Sequence, residues 1–144
     1  SCNFGSASEV VYMLDLPHPV NLNASTAGSD FNTSLYARSA CAALTVCPDG
    51  DDSCVPASTE LACNQDADGV LTSALSLSAV SGALYLFVDG FGAQAGAYVL
   101  TVSGEYLAEG ACDPQGPSFF TCPPSYICSP DPENPEAHRC SAEP

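Results

Sequence analysis

The chain has 144 residues, of which 17 are acidic and two basic, with no lysine and a formal net charge of −15. Nucleic acids and anionic membrane surfaces are both held through Lys and Arg, so neither is an expected partner. Charged residues make up 13% and hydrophobic ones 46%, the balance of a globular chain with a Ser/Thr/Asn/Gly surface rather than of a disordered acidic tail.

The apolar pattern has period two along most of the chain. Val10, Tyr12, Leu14 and Leu16 alternate until Pro17 and Pro19, which are expected to end the first strand. Val20, Leu22 and Ala24 form one face of the next run, and Ala27-Gly28-Ser29-Asp30 reads as a turn. Phe31, Thr33, Leu35 and Ala37 make a third run, and Glu60–Cys63 a short fourth. Leu71, Ser73, Leu75, Leu77 and Ala79 share a face of a longer segment. Leu84, Leu86 and Val88 follow, ending at an Asp89-Gly90 turn, and Tyr98, Leu100 and Val102 close the series. Short alternating strands, turn chemistry between them and no 3.6-residue period predict an all-β fold. It should be an antiparallel, jelly-roll-like sandwich of about seven or eight strands.

Composition changes at Gly110. From there to Pro144 the chain holds eight prolines and four cysteines but few aliphatic residues, too little to bury a core without covalent staples. The expected division is a sandwich over residues 1–109, with a Cys-rich insertion at 41–63, and a disulfide-stapled appendix over 110–144.

Nine cysteines are more than a reducing compartment usually supports, and no Cys-x-x-Cys pair is present for zinc or thioredoxin-type chemistry. His18 and His138 stand far apart in sequence, without a second ligand at metal spacing. Disulfides are expected, and with them a secreted or cell-surface location. The start at Ser1, without Met or a basic-apolar leader, fits a processed chain or an excised domain. Apolar runs such as Leu84–Val88 are too short to cross a bilayer, so no membrane insertion is expected. Cys41 and Cys63 sit at the ends of strands expected to lie side by side and should bond, with Cys47–Cys54 nested inside. Cys112, Cys122, Cys128 and Cys140 can close among themselves. An odd number leaves one over: either Cys2 is unpaired or bonded to another chain, or Cys2 joins Cys112 and a tail cysteine is left.

Several segments from Glu9 to Gly104 carry a family resemblance. They are Glu60-Leu-Ala-Cys-Asn-Gln-Asp, Leu71–Ala79, Ala83-Leu-Tyr-Leu-Phe-Val-Asp-Gly-Phe-Gly and Gly96-Ala-Tyr-Val-Leu-Thr-Val, with Phe31-Asn-Thr-Ser-Leu-Tyr as a central strand. Together they resemble the bacterial pre-peptidase C-terminal domain. Asn32 stands where that family often has an acidic residue. The resemblance covers about two-thirds of the chain and leaves out the 41–63 insertion and the tail. It implies a jelly-roll-like sandwich that accompanies secreted hydrolases and surface proteins without being catalytic, some relatives binding calcium or a fibrous substrate.

Three constellations could carry chemistry. Asn64, Asp66 and Asp68, with Gly69 sixth, have the alternating oxygen ligands of a calcium loop, but Leu75 stands where its bidentate acid belongs. Asp30 and Asp89 are the candidates to complete such a site; the bland alternative is an Asx-rich turn. Asp49, Asp51 and Asp52 form a second acidic loop, best read as a solvated tip. Tyr36, Tyr85 and Phe87 lie opposite the core set of their strands, as either a binding platform or a covered second face. Asn23 and Asn32 fit the N-glycosylation pattern. No nucleophile elbow, phosphate loop or oriented His is present, so no enzyme is expected. The expected function is a non-enzymatic structural or adhesive unit of a bacterial surface, in its fullest form a self-assembling fibre subunit. Its partners would be copies of itself, another surface protein or a polysaccharide. The alternative is an accessory domain that tethers a secreted hydrolase to its substrate.

Overall fold

A computed structural model describes residues 7–43, 58–66 and 70–144. Among the described residues there are eight strands and no helix: β1 (Val10–Ser25), β2 (Thr33–Arg38), β3 (Glu60–Asn64), β4 (Ala74–Gly90), β5 (Thr101–Tyr106), β6 (Phe120–Thr121), β7 (Tyr126–Pro130) and β8 (His138–Ala142). Six of them make one mixed sheet in the order β3-β2-β4-β1-β5-β6, and β7 and β8 form a separate ribbon. Neighbours in the large sheet are antiparallel except β5 and β6, which run parallel.

The long pair β1 and β4 organises the sheet, running from Val10↔Val88 to Ser25↔Ala74. Pro17 and Pro19 do not end β1, contrary to the sequence expectation. They fall where the ladder slips between Leu16 and Val20, so their missing N–H groups interrupt no regular pairing. Across from them Ala79 (φ 51°) and Gly82 (φ 79°) take left-handed backbone. Bulges of this kind bend a strand pair, and the two strands turn a corner together. Past the corner their neighbours differ. Toward Val10, β4 pairs with β2, from Arg38↔Tyr85 to Thr33↔Gly90. Toward Ser25, β1 pairs with β5, from Val20↔Tyr106 to Ser25↔Thr101. One layer is therefore β3-β2-β4-β1 and the other β4-β1-β5-β6. They are halves of one continuous sheet, not the two separate sheets of a jelly-roll.

The core lies between these halves. Leu16, Val20, Leu22 and Ala24 of β1 meet Leu35 and Ala37 of β2 and Leu75, Leu77, Leu84, Leu86 and Val88 of β4, none more than 7% exposed. The alternation of the sequence is realised at these positions. It fails at Leu71, which is 61% exposed, and at Tyr98 and Leu100, which precede β5 instead of lying in it. β2 is buried from Thr33 to Ala37 on both faces. Its start is held by a buried hydroxyl cluster. Thr26 Oγ1 lies 2.6 Å from Thr33 Oγ1, Ser73 N–H donates to Thr26 Oγ1 at 2.8 Å, and Ser73 Oγ donates to the Thr33 carbonyl at 2.7 Å. Satisfied in this way, buried hydroxyls tie three chain segments together without a desolvation penalty.

The C-terminal segment packs on the same core. Cys112 bonds to Cys128 and Cys122 to Cys140, so Cys112 is not the partner of Cys2. Cys112 and Cys140 are 2% and 0% exposed and belong to the core cluster. Cys128 and Cys140 face each other across the β7–β8 ribbon, so both bridges leave from one place. Phe120 of β6 lays its ring on Gly104 of β5, where a Cβ would come within 2.5 Å. That contact explains a glycine inside a strand.

Two stability outcomes follow. Leu22→Ala should lower the unfolding free energy by about 2–5 kcal/mol in a denaturant titration, because it empties a fully buried site. Replacing Cys122 and Cys140 together by Ser should cost about 3 kcal/mol, the loop-closure value for a bridge spanning 18 residues.

Candidate functional site

The two faces of the β3-β2-β4-β1 layer differ. Opposite the core, Tyr36 and Phe87 stack with ring centroids 4.7 Å apart and planes 7° from parallel. Arg38 places its guanidinium 4.9 Å from the Tyr36 ring and 4.6 Å from the Phe87 ring, a cation–π sandwich. The Tyr36 hydroxyl donates to Glu9 Oε2. Tyr36 and Phe87 are 3% and 2% exposed, so this face is covered and offers no platform. Tyr85 is half-buried. Burial first, then the hydrogen bond to Glu9, pushes the Tyr36 phenol well above the ordinary tyrosine range.

The proposed calcium ligands are spread over separate tasks. Asn64 Oδ1 accepts the Ala74 N–H at 3.1 Å, at the start of β4. Asp89 is buried, and its Oδ1 accepts the Gly90 N–H at 2.7 Å. Asp30 packs its carboxylate over Gly96, where a Cβ would stand 2.3 Å from Oδ1. Asp66 is exposed, and Asp68 lies outside the described residues. Among the described residues one set of three metal-ligating atoms falls within 4.8 Å: the sulfurs of Cys112, Cys122 and Cys128. All three are bonded in disulfides and offer no thiolate. His18 and His138, distant in sequence, line one cavity of about 330 Å³ with Asp113 and Glu136, yet they do not converge to metal-binding distance.

The nested pairing of the insertion is corrected in part. Cys41 is a free, exposed thiol, while Cys63 is disulfide-bonded elsewhere. Register explains it. Cys63 lies opposite Tyr36 inside the β2–β3 ladder, whereas Cys41 comes after β2 has ended at Arg38. Cys41 stays at that end: its carbonyl accepts from Arg38 Nη1 at 3.4 Å. Cys2, Cys47 and Cys54 lie outside the described residues, as do Asp49, Asp51 and Asp52.

The most developed cleft lies on the other side of the layer, beside β1. There the first layer ends with β1, while the second continues into β5 and β6. The gap is lined by Tyr12, Leu14, Leu86, Tyr98, Leu100, Thr101, Val102 and Phe119 and encloses about 650 Å³. Leu86 closes its floor with no exposed surface, while Tyr12 and Phe119 are each 38% exposed at its mouth. The Tyr12 and Tyr98 hydroxyls are 2.5 Å apart. That hydrogen bond, foremost, raises the Tyr12 phenol above its ordinary value. The lining carries no carboxylate, thiol or imidazole, and its polar groups are the Tyr12, Tyr98 and Thr101 hydroxyls, a surface suited to apolar groups. Sequence reasoning placed Tyr12 and Leu14, and Tyr98 and Leu100, only on one face of two alternating strands. Only strand order could show that their layer is incomplete there.

No protein-family model, no curated protein and no solved structure matches the chain.

Two measurements check these assignments. The folded state holds the Tyr36 proton more tightly than the unfolded chain does, so stability should be unaffected below pH ~10 and should fall as pH rises above it. Tyr36→Phe should flatten that alkaline loss of melting temperature. Maleimide labelling of the folded, unreduced protein should modify Cys41 and none of Cys63, Cys112, Cys122, Cys128 or Cys140. Cys41→Ser should remove the signal at that position in peptide mapping.

Proposed function

We propose that this is a non-enzymatic structural or adhesive unit of an extracellular bacterial surface, and that it works by holding a neighbouring surface polypeptide. The observation that carries this is the uncharged, aromatic-rimmed cleft at the unfinished side of the sandwich. Exposed apolar surface next to an open sheet edge marks an interaction site in a soluble protein. The other features support the same role. Disulfides joining the C-terminal ribbon to the core suit an oxidising exterior. The resemblance of the Glu9–Gly104 region to a non-catalytic companion domain points the same way.

Among the expected partners, a polysaccharide fits the cleft least. Sugar sites pair aromatic planes with many polar groups, and here the two tyrosine hydroxyls are spent on each other. A fibre of identical copies would need a second joint besides this one. Adhesion to a different surface polypeptide needs only the one cleft.

The test is binding to cell envelopes from the source organism. The purified protein should sediment with them, while Phe119→Lys, at the mouth of the cleft where the ring is 38% exposed, should remain in the supernatant with a melting temperature close to that of the parent. A protein that stays in the supernatant, or a variant that sediments equally well, overturns the proposal.

A further inference from the structure

We infer that the outer edge of Val10–Leu16 is a strand-receiving site. Its occupant is an extended segment of another polypeptide, apolar at alternate positions and free of acidic residues. The inference rests on the adhesive reading above and names what that unit grips.

The backbone supplies the first reason. Val10–Leu16 pair with β4 on one side, while pairing with β5 on the other side begins only at Val20. Among the described residues nothing pairs with the second edge of this seven-residue stretch. A row of N–H and C=O groups of this kind is matched by another strand, and by neither a lipid chain nor a sugar. The second reason is that, among the described residues, nothing blunts the edge over Val10–Leu14. Natural sheets protect such strands with Lys, Pro or a bulge, yet Val10-Val11-Tyr12-Met13-Leu14 contains none, and its ladder to β4 is regular. Val10, Val11 and Met13 are 39%, 40% and 62% exposed.

The cleft then sets the side chains. A strand laid along β1 sends every second residue to the face carrying Tyr12 and Leu14. Those residues fall on Tyr98, Leu100 and Phe119, which no other strand of the first layer covers. Charge sets the rest. The molecule carries −15 overall. Of its two arginines, Arg38 is held on the Tyr36 and Phe87 rings and Arg139 lies 4.0 Å from Glu109. No cation stands ready for an acidic segment, while Glu9, just before the stretch, and Asp15, near its far end, suit basic ends. A second copy docking its own β1 edge would bring the same two carboxylates. It would also bring a β5–β6 layer that, like this one, projects past β1 into the approach.

The experiment uses the intact chain and a labelled nine-residue peptide alternating Val and Thr, with Lys at each end. Fluorescence anisotropy should show saturable binding, and hydrogen exchange of Val10–Leu16 amides should slow at least tenfold in the complex. A peptide with proline at its centre should not bind, and one with Glu ends should bind at least tenfold more weakly at low salt. Tyr12→Asp should weaken binding at least tenfold, whereas Leu61→Asp, on exposed β3 surface, should leave it unchanged. Absence of binding, equal binding of the proline peptide, protection elsewhere in the chain, or sedimentation showing two copies joined through this edge each overturns the inference. If the protein sediments with envelopes but ignores the peptide, the strand-receiving site fails and the adhesive role stands. If it does neither, both fail.

Discussion

The slipped ladder between Leu16 and Val20 is the constraint from which the rest follows. Two proline rings supply no N–H, and opposite them the chain takes up left-handed backbone at Ala79 and Gly82. A straight pair of this length would be a flat ribbon with two faces to cover. Bent, it faces itself, and the apolar sides of both halves meet in one core. Everything else attaches to a half: β2 and β3 flank β4 before the corner in space, and β5 and β6 flank β1 after it. Because the additions sit on opposite sides of the pair, the two layers are offset. Among the described residues, the offset leaves the Val10–Leu16 part of β1 without a second neighbouring strand, beside the cleft that β5 helps to line.

Much of the strand content was legible from alternation. Val20/Leu22/Ala24, Thr33/Leu35/Ala37 and Leu84/Leu86/Val88 are inward triplets because a half-buried strand must alternate, and all nine residues are buried. What alternation cannot report is whether a break in the pattern ends a strand or bends it. Pro17 and Pro19 read as a stop and act as a corner, since a proline is harmless wherever the ladder already slips. The second face of β2 was equally ambiguous, because Tyr36 pairs its ring with Phe87 and Arg38 only once β2 and β4 lie in register. The cysteine bridges divided along the same line. Four tail cysteines could be grouped by closeness in sequence, but the exclusion of Cys41 depended on the β2–β3 register. The cleft was invisible for a related reason: it depends on strand order, since among the described residues the first layer ends at β1 while the second runs on into β5 and β6.

The acidic composition also acquires a place. Three cavities among the described residues are lined by at least one carboxylate, around Asp89, Glu105 and Asp113. The cleft beside β1 has none. With so few cations to pair, the described carboxylates other than the buried Asp89 stay at least partly in solvent, where the field of each charge is screened within about 8 Å at physiological salt. The apolar recess beside β1 carries no charged lining residue. Repulsion then discourages indiscriminate contact over the rest of the surface without penalising contact at the recess.

The arrangement of the two C-terminal bridges has a mechanical side. Tension entering the chain from beyond β8 passes at Cys140 through sulfur to Cys122, next to β6. The chain between these two cysteines, including β7 and the start of β8, is bypassed and cannot pay out under load. Cys112 and Cys128 close a second, overlapping circuit, so the force enters the β5–β6 end of the large sheet directly. A unit built this way transmits a pull from its C-terminal end as a stiff coupling rather than as a spring, for as long as its sulfurs stay oxidised.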